Sequence, residues 1–249
     1  MFTGRQSSRR QNNGRFCRRT CRVLLEVVAV LRGRAFFRDR EDAGRQLAEK
    51  LAELQSKDVL VLGIPCGGVP VAVQIADRLH AQLDLMVVRK LQIPWNPEAG
   101  FGALAPDGTL LLNPELAPHL NLSETEIEEV ERRTMTEIRR RIQRFRGAQA
   151  APRLPDRIVV LVDDGLASGY TMLVAAQSVR KARPRRLVVA VPVASAGAAR
   201  LLRPACDSFV ALHVSSALPF AVADSYEQWY DLTDEDVLRY LSAKPERTN

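Results

Sequence analysis

Five short runs of consecutive apolar residues punctuate the chain: 59–62, 85–88, 158–162, 187–191 and 209–212. Each is near-continuous rather than alternating, the pattern of a strand buried on both faces of a parallel sheet. Helical periodicity fills the intervals at 69–80, 171–182 and 195–203. It also opens after Asp39, where Ala43, Leu47, Leu51 and Leu54 recur among charges. This alternation predicts an α/β fold: a doubly wound, mainly parallel sheet flanked by helices. A longer helix over about 124–145 is announced by the capping box Ser123-Glu124-Thr125-Glu126. Acids crowd its start, and Arg139, Arg140, Arg141, Arg144 and Arg146 crowd its end, which complements the helix dipole. That arginine cluster reads as a solvated helix end. The segment 104–112, with Pro106-Asp107-Gly108 between apolar residues, reads as a small hairpin.

Charge changes the picture at one end only. Residues 1–34 hold nine arginines against one acid, Glu26, so residues 35–249 sum to −1 of the chain's +7. A nearly neutral body lacks the basic face of a nucleic-acid module, so no specific nucleic-acid partner is expected. With 46% hydrophobic and 26% charged residues in 249, the composition excludes collagenous, disordered and multi-span membrane classes. The predicted organisation is an Arg-rich, unstructured extension (1–34) and one domain (35–249). The run Val23–Leu31, interrupted by Glu26, is too short to span a membrane and lacks a cleavage pattern. It reads as part of an extension, or of a start assigned too far upstream, rather than as a targeting peptide. Four scattered cysteines (17, 21, 66, 206) fit a reducing compartment, hence the cytoplasm, and Cys17-x3-Cys21 alone makes no zinc site. His80, His119 and His213 sit in no constellation and take no role in the expected site.

The chemistry concentrates in Val160-Leu161-Val162-Asp163-Asp164-Gly165-Leu166-Ala167-Ser168-Gly169-Tyr170-Thr171. An apolar strand ends in two carboxylates, and a small-residue loop leads straight into a helix. Open α/β sheets place ligands at such strand ends. Backbone N–H groups of the loop, with the Ser168 and Thr171 hydroxyls, suit a phosphate. The two acids suit the adjacent hydroxyls of a ribose and positive charge developing on its ring. The spacing fits neither a P-loop nor G-x-S-x-G. Two acids that merely cap a helix beside a tight turn are the alternative reading of the same residues.

These residues resemble the signature of the type I phosphoribosyltransferases: acid-acid-Gly-x-Ala-Thr-Gly-x-Thr after a hydrophobic strand, with Ser168 here keeping the hydroxyl. Further segments resemble a bacterial group of predicted phosphoribosyltransferases over about residues 35–242. They are Phe37-Arg38-Asp39-Arg40, Ile64-Pro65-Cys66-Gly67-Gly68, Val88-Arg89-Lys90-Leu91, Asn96-Pro97-Glu98, Phe101-Gly102-Ala103 and Gln228-Trp229-Tyr230. The resemblance implies transfer of a phosphoribosyl group from phosphoribosyl pyrophosphate to a nucleobase or related acceptor. Mg²⁺ would be the cofactor, with no ligand assigned to it directly. Asp163, Asp164, Gly165, Ala167, Ser168, Gly169 and Thr171 would hold ribose 5-phosphate. Pro65, Cys66, Gly67 and Gly68 would form the pyrophosphate loop, and Arg89 and Lys90, ending the second strand, would add charge and join the two acids in catalysis.

The family's C-terminal hood, here about 214–249, contacts the base, so Phe220, Trp229 and Tyr230 are candidate stacking residues. Cys66 stands where the family loop has Arg, and Tyr170 where it usually has a small residue. The missing cation motivates a second reading: a non-catalytic or regulatory protein that binds phosphoribosyl pyrophosphate or a nucleotide. No membrane partner is expected, and a homodimer is allowed.

Overall fold

The computed structural model describes residues 35–55 and 57–243. The Arg-rich start, with Cys17, Cys21 and the Val23–Leu31 run, lies outside the described residues. The elements in chain order are α1 (Arg40–Lys50), β1 (Val59–Gly63), α2 (Gly68–Leu79), β2 (Gln82–Leu85), β3 (Arg89–Ile93), β4 (Asn96–Leu104), β5 (Leu110–Leu112), α3 (Glu124–Arg146), β6 (Ile158–Val162), α4 (Tyr170–Lys181), β7 (Arg186–Ser195), α5 (Ala196–Leu202), β8 (Ser208–Ser215) and α6 (Asp234–Ser242).

Five strands form one all-parallel sheet in the order β2-β1-β6-β7-β8. Every residue of β1 and β6 is buried, as their continuous apolar runs require. The strand period of two divides those runs between the faces. Leu60, Leu62, Val159 and Leu161 pack with α4 residues such as Met172 and Ala176. Val61, Val160 and Val162 pack instead with Leu47 of α1 and Val71 and Ile75 of α2. The fold is therefore the expected doubly wound, mainly parallel α/β sheet flanked by helices. Because β1 and β6 are neighbours and the chain winds outward from them in opposite directions, the topological switch point lies between their carboxyl ends.

A second sheet, antiparallel β3-β4-β5, packs with α3 and α6 around Leu91, Phe101, Leu104, Ile138 and Val237. Here the strand expectations need correction. The hairpin at 104–112 exists, but β4 begins at Asn96 and pairs with β3 as well. The second parallel strand occupies 82–85 rather than 85–88. It is the edge of the sheet, bonded only to β1 and partly exposed, so it lacks the buried-strand pattern. The apolar run 86–88 is buried, but as a link that turns the chain into β3.

A small C-terminal layer is tied to the start of the domain. Phe37 bridges Tyr226, the Phe37 N–H donates to the Ser225 carbonyl at 3.0 Å, and the Glu227 N–H donates to the Phe37 carbonyl at 2.8 Å. Phe37 and Tyr226 pack with Ala43 and Val193 in a core of their own.

Candidate active site at the switch point

Two loops leave the adjacent ends of β1 and β6 and meet. The first, Ile64 to Gly68, turns from β1 into α2, with the Pro65–Cys66 peptide cis. The second, Asp163 to Gly169, turns from β6 into α4. Their contact excludes any side chain at the junction: a β-carbon on Gly67 would lie 2.0 Å from Asp164 Oδ2, and one on Gly68 2.6 Å from the Val162 carbonyl. The acidic loop is anchored at its middle, where Leu166 bridges Ala194 of β7 and Ser195 Oγ donates to the Ala167 carbonyl at 2.7 Å. Ala167 and Ser168 stay exposed at the tip. Gly169 follows with φ +82°, a left-handed conformation that glycine adopts without strain, and opens α4 with no side-chain cap. Gly67 likewise opens α2 uncapped. Two helix N-termini thus present backbone donors beside the paired acids, an arrangement suited to anions.

The acids are crowded. The Asp164 N–H donates to Asp163 Oδ1 at 2.9 Å. Burial, reinforced by the neighbouring Asp164 charge, pushes the Asp163 carboxyl well above its ordinary range. Burial also raises Asp164, opposed by Arg40, whose Nε donates to Asp164 Oδ2 at 2.8 Å. Two carboxylates in one dry corner favour keeping a proton between them. The Tyr226 hydroxyl donates to the Asp164 carbonyl at 2.6 Å, and burial raises that phenol, so it stays a donor.

A family model described as the phosphoribosyl transferase domain matches residues 105–224. A relative from Mycobacterium tuberculosis H37Rv, provisionally named a phosphoribosyl transferase, is 42% identical over 205 residues, or 82% of this chain and 46% of its own length. The crystal structure of TT1426 from Thermus thermophilus is similar at 40% identity and a TM-score of 0.67, covering 82% of this chain and 97% of that one. The chain belongs to the type I phosphoribosyltransferase family. It spans about half the length of the curated relatives it matches.

Within this phosphoribosyltransferase fold, Pro65 to Gly68 and Asp163 to Thr171 fall on the two contiguous loops. Arg89 and Lys90 do not end the second parallel strand; they begin β3 of the antiparallel sheet. Arg89 is paired with Glu137 of α3 at 3.0 Å. Lys90 lies over Gly100, where a β-carbon would come within 3.0 Å of its own. With Gly102, Asn113, Ser168, Tyr170 and Thr171 it lines a cavity of about 110 Å³. Lys90 therefore faces the hydroxyl-bearing tip of the acidic loop. Tyr170 donates from its hydroxyl to Asn113 Oδ1 at 3.2 Å and forms part of the same wall.

The candidate stacking aromatics are divided. Phe220 is half-buried and packs toward Phe37 and Tyr226. Trp229 lies under the Arg40 guanidinium, 3.8 Å from ring centroid to Cζ, and Tyr230 is 53% exposed.

Sequence reasoning missed two arginines that the fold buries. Arg40 touches Asp164 and Trp229, as above. Arg141 is not part of a solvated helix end: its Nη2 is 3.0 Å from Cys66 Sγ and 2.5 Å from Asp234 Oδ1, linking the Cys66 loop, α3 and α6. Arg144 pairs with Glu235 and Arg146 with Asp84, which leaves Arg139 and Arg140 exposed. Burial pushes the Cys66 thiol up, opposed by Arg141, so it remains a neutral thiol. A guanidinium from α3 thus lies beside the Cys66 thiol. The spacing of Ile138, Arg141 and Phe145, which sets Arg141 on the apolar stripe of α3, was the available signal.

Proposed function

We propose that this phosphoribosyltransferase transfers a phosphoribosyl group from phosphoribosyl pyrophosphate to a nitrogen of a nucleobase or related acceptor. The single observation that carries this reading is the seat of Gly67 against Asp164, which sets the loop after β1 against the loop after β6, as a diphosphate loop and a ribose-phosphate loop of one site would be. The 5-phosphate would sit on the N–H groups of 168–171 and the Ser168 and Thr171 hydroxyls, with Lys90 across the cavity. Asp163 and Asp164 would accept the ribose hydroxyls. The leaving pyrophosphate would take the backbone donors of 65–68 at the start of α2.

In the reaction the acceptor nitrogen forms a bond to the anomeric carbon as the carbon–oxygen bond to pyrophosphate breaks. The nitrogen then sheds its proton, and the paired acids stabilise the positive charge that spreads over the ring. Among the described residues no group of three His, Cys, Asp or Glu side chains gathers as a closed metal cage. One or two carboxylates beside substrate phosphates is the setting Mg²⁺ prefers, so the donor set fits that ion. When bound, it would neutralise charge on the leaving diphosphate. Among the described residues no helix is long and apolar enough to cross a membrane. A cytoplasmic setting rests on cysteine usage, Cys66 and Cys206 being free thiols.

Neutral Cys66, with Arg141 already paired to Asp234, favours one second reading: a binding or regulatory protein that holds phosphoribosyl pyrophosphate without turning it over. Incubation with phosphoribosyl pyrophosphate, Mg²⁺ and a panel of bases, followed by pyrophosphate release, separates the two. Base-dependent release supports the transferase; tight binding without release with any base supports the regulator.

A further inference from the structure

The charge that balances the acidic pair comes from the far end of the fold. Arg40 is the first residue of α1, and its side chain is only 6% exposed. Two of its guanidinium nitrogens are bonded and its face is covered. Nε donates to Asp164 Oδ2 at 2.8 Å, Nη1 donates to the Tyr230 carbonyl at 3.0 Å, and the plane stacks on Trp229 at 3.8 Å. A stacked, desolvated guanidinium is held firmly in place. Asp39 fixes the start of α1 by accepting from the Asp42 N–H at 2.7 Å, so the residue that presents Arg40 is itself anchored.

We propose that Arg40 is a positioning residue for the ribose-binding acids: clamped by Trp229 and the Tyr230 carbonyl, it holds the Asp164 carboxylate turned toward Gly67. This rests on the reading of Asp163 and Asp164 as the ribose acids. It assigns the aromatic segment at 229–230 a task other than packing, because the position of that segment becomes coupled to the acids through one side chain.

The groups facing the pair bear this out. From α1 comes Arg40, and from the C-terminal layer the Tyr226 hydroxyl, which bonds the Asp164 carbonyl rather than its carboxylate. The α2 start presents only Gly67 and Gly68, and Gly165 is closed over by Val222 and Val193. Among the described residues each acid's remaining charged neighbour is the other. Removing Arg40 therefore leaves two buried carboxyls with no cation from the described residues against them, and the pair must hold its proton to higher pH.

Carboxyl ¹³C NMR of aspartate-labelled protein, assigned with Asp163→Asn and Asp164→Asn, follows the pair without any ligand. In Arg40→Met the titration moves up by about 1 to 3 pH units, the usual span for an acid losing an adjacent arginine. Arg40→Lys recovers most of it. Trp229→Leu, which leaves the charge and removes the stack, moves it the same way by less. Ribose 5-phosphate affinity, measured by calorimetry across pH, shifts upward in parallel. A purely structural Arg40 would lower melting temperature and leave both pH profiles in place, and that result overturns the proposal. If Arg40→Met does not fold, the Lys and Leu variants decide by the same readout. Failure of wild type to bind ribose 5-phosphate or phosphoribosyl pyrophosphate at any pH would sink the proposed ligand and this role together. An unchanged titration with binding intact would sink the role of Arg40 alone.

Discussion

Helix α3 starts at Ser123, whose hydroxyl accepts from the Glu126 N–H while the Glu126 carboxylate accepts from the Ser123 N–H; a further acid, Glu124, stands in that first turn. Helix α4 starts at Gly169, with no side-chain cap and no acid in its first turn. The difference extends beyond the first turn. Around α3 the acids are stabilised: hydrogen bonds from Ser123 hold Glu126 below its ordinary range, and Arg132 and Arg133 do the same for Glu129. Before α4 the acids are penalised, Asp163 most of all. One helix start closes its donors on itself; the other leaves them open beside crowded carboxylates. The capping rule kept at α3 is broken at α4 and also at the uncapped start of α2, and both breaks lie where the loops after β1 and β6 meet.

The largest effect should come from unfastening the closed region. Arg141→Met leaves Asp234 without its closest partner, and loss of one half of a buried pair costs about 3–5 kcal/mol, with Arg144 at 4.0 Å keeping it toward the lower figure. Urea unfolding checks this. A change below about 1 kcal/mol would show that α3, α6 and the Cys66 loop are not joined through that guanidinium.

In the open region stability and binding should part company. Asp164→Asn should weaken phosphoribosyl pyrophosphate binding tenfold or more, since hydrogen bonds to a charged group contribute about 1.5–3 kcal/mol. For Asp163, the folded state holds its proton to higher pH than the unfolded chain does. Stability therefore falls as pH rises through that window, and the full penalty is present above it. Asp163→Asn should accordingly be more stable than wild type at neutral pH and no less stable at pH 4, while binding worse. Thermal melts at the two pH values would show it; a uniform loss of stability would contradict the penalty.

Gly169→Ala should cost about 1–2 kcal/mol, because a β-carbon is forced to positive φ and meets Leu202 at 3.0 Å. It should also lower affinity for inorganic phosphate. Ser123→Ala is the smallest, about 1 kcal/mol of stability with ligand binding unchanged. If it altered binding, the two helix starts would not be independent.

How much of this was legible before the fold was known follows the same division. The strands β1, β6 and β7 were readable because burial on both faces writes itself as an unbroken apolar run, and β8, though a half-exposed edge, carries such a run at 209–212. The 163–171 loop was readable because its chemistry is contiguous in sequence. Most of β4 was hidden by Pro97, Gly100 and Gly102, which weaken a strand pattern, though the two glycines allow the close approach of Lys90 and of the Leu111 carbonyl. Arg40 and Arg141 were hidden for a different reason: each is buried by partners 124 and 93 residues away, and only Arg141, on the apolar stripe of α3, carried a local sign of it.

The central claim is that the loops after β1 and β6 are two halves of one ligand site. Calorimetry with phosphoribosyl pyrophosphate, ribose 5-phosphate and inorganic pyrophosphate, each with Mg²⁺, tests it most directly on wild type and on Asp164→Asn and Gly67→Ala. The account predicts that the whole molecule binds more tightly than either fragment, that ribose 5-phosphate and pyrophosphate bind together, and that Gly67→Ala, which drives a methyl into Asp164, weakens all three. Mutually exclusive fragments, or a Gly67→Ala variant that binds phosphoribosyl pyrophosphate as wild type does, would contradict it.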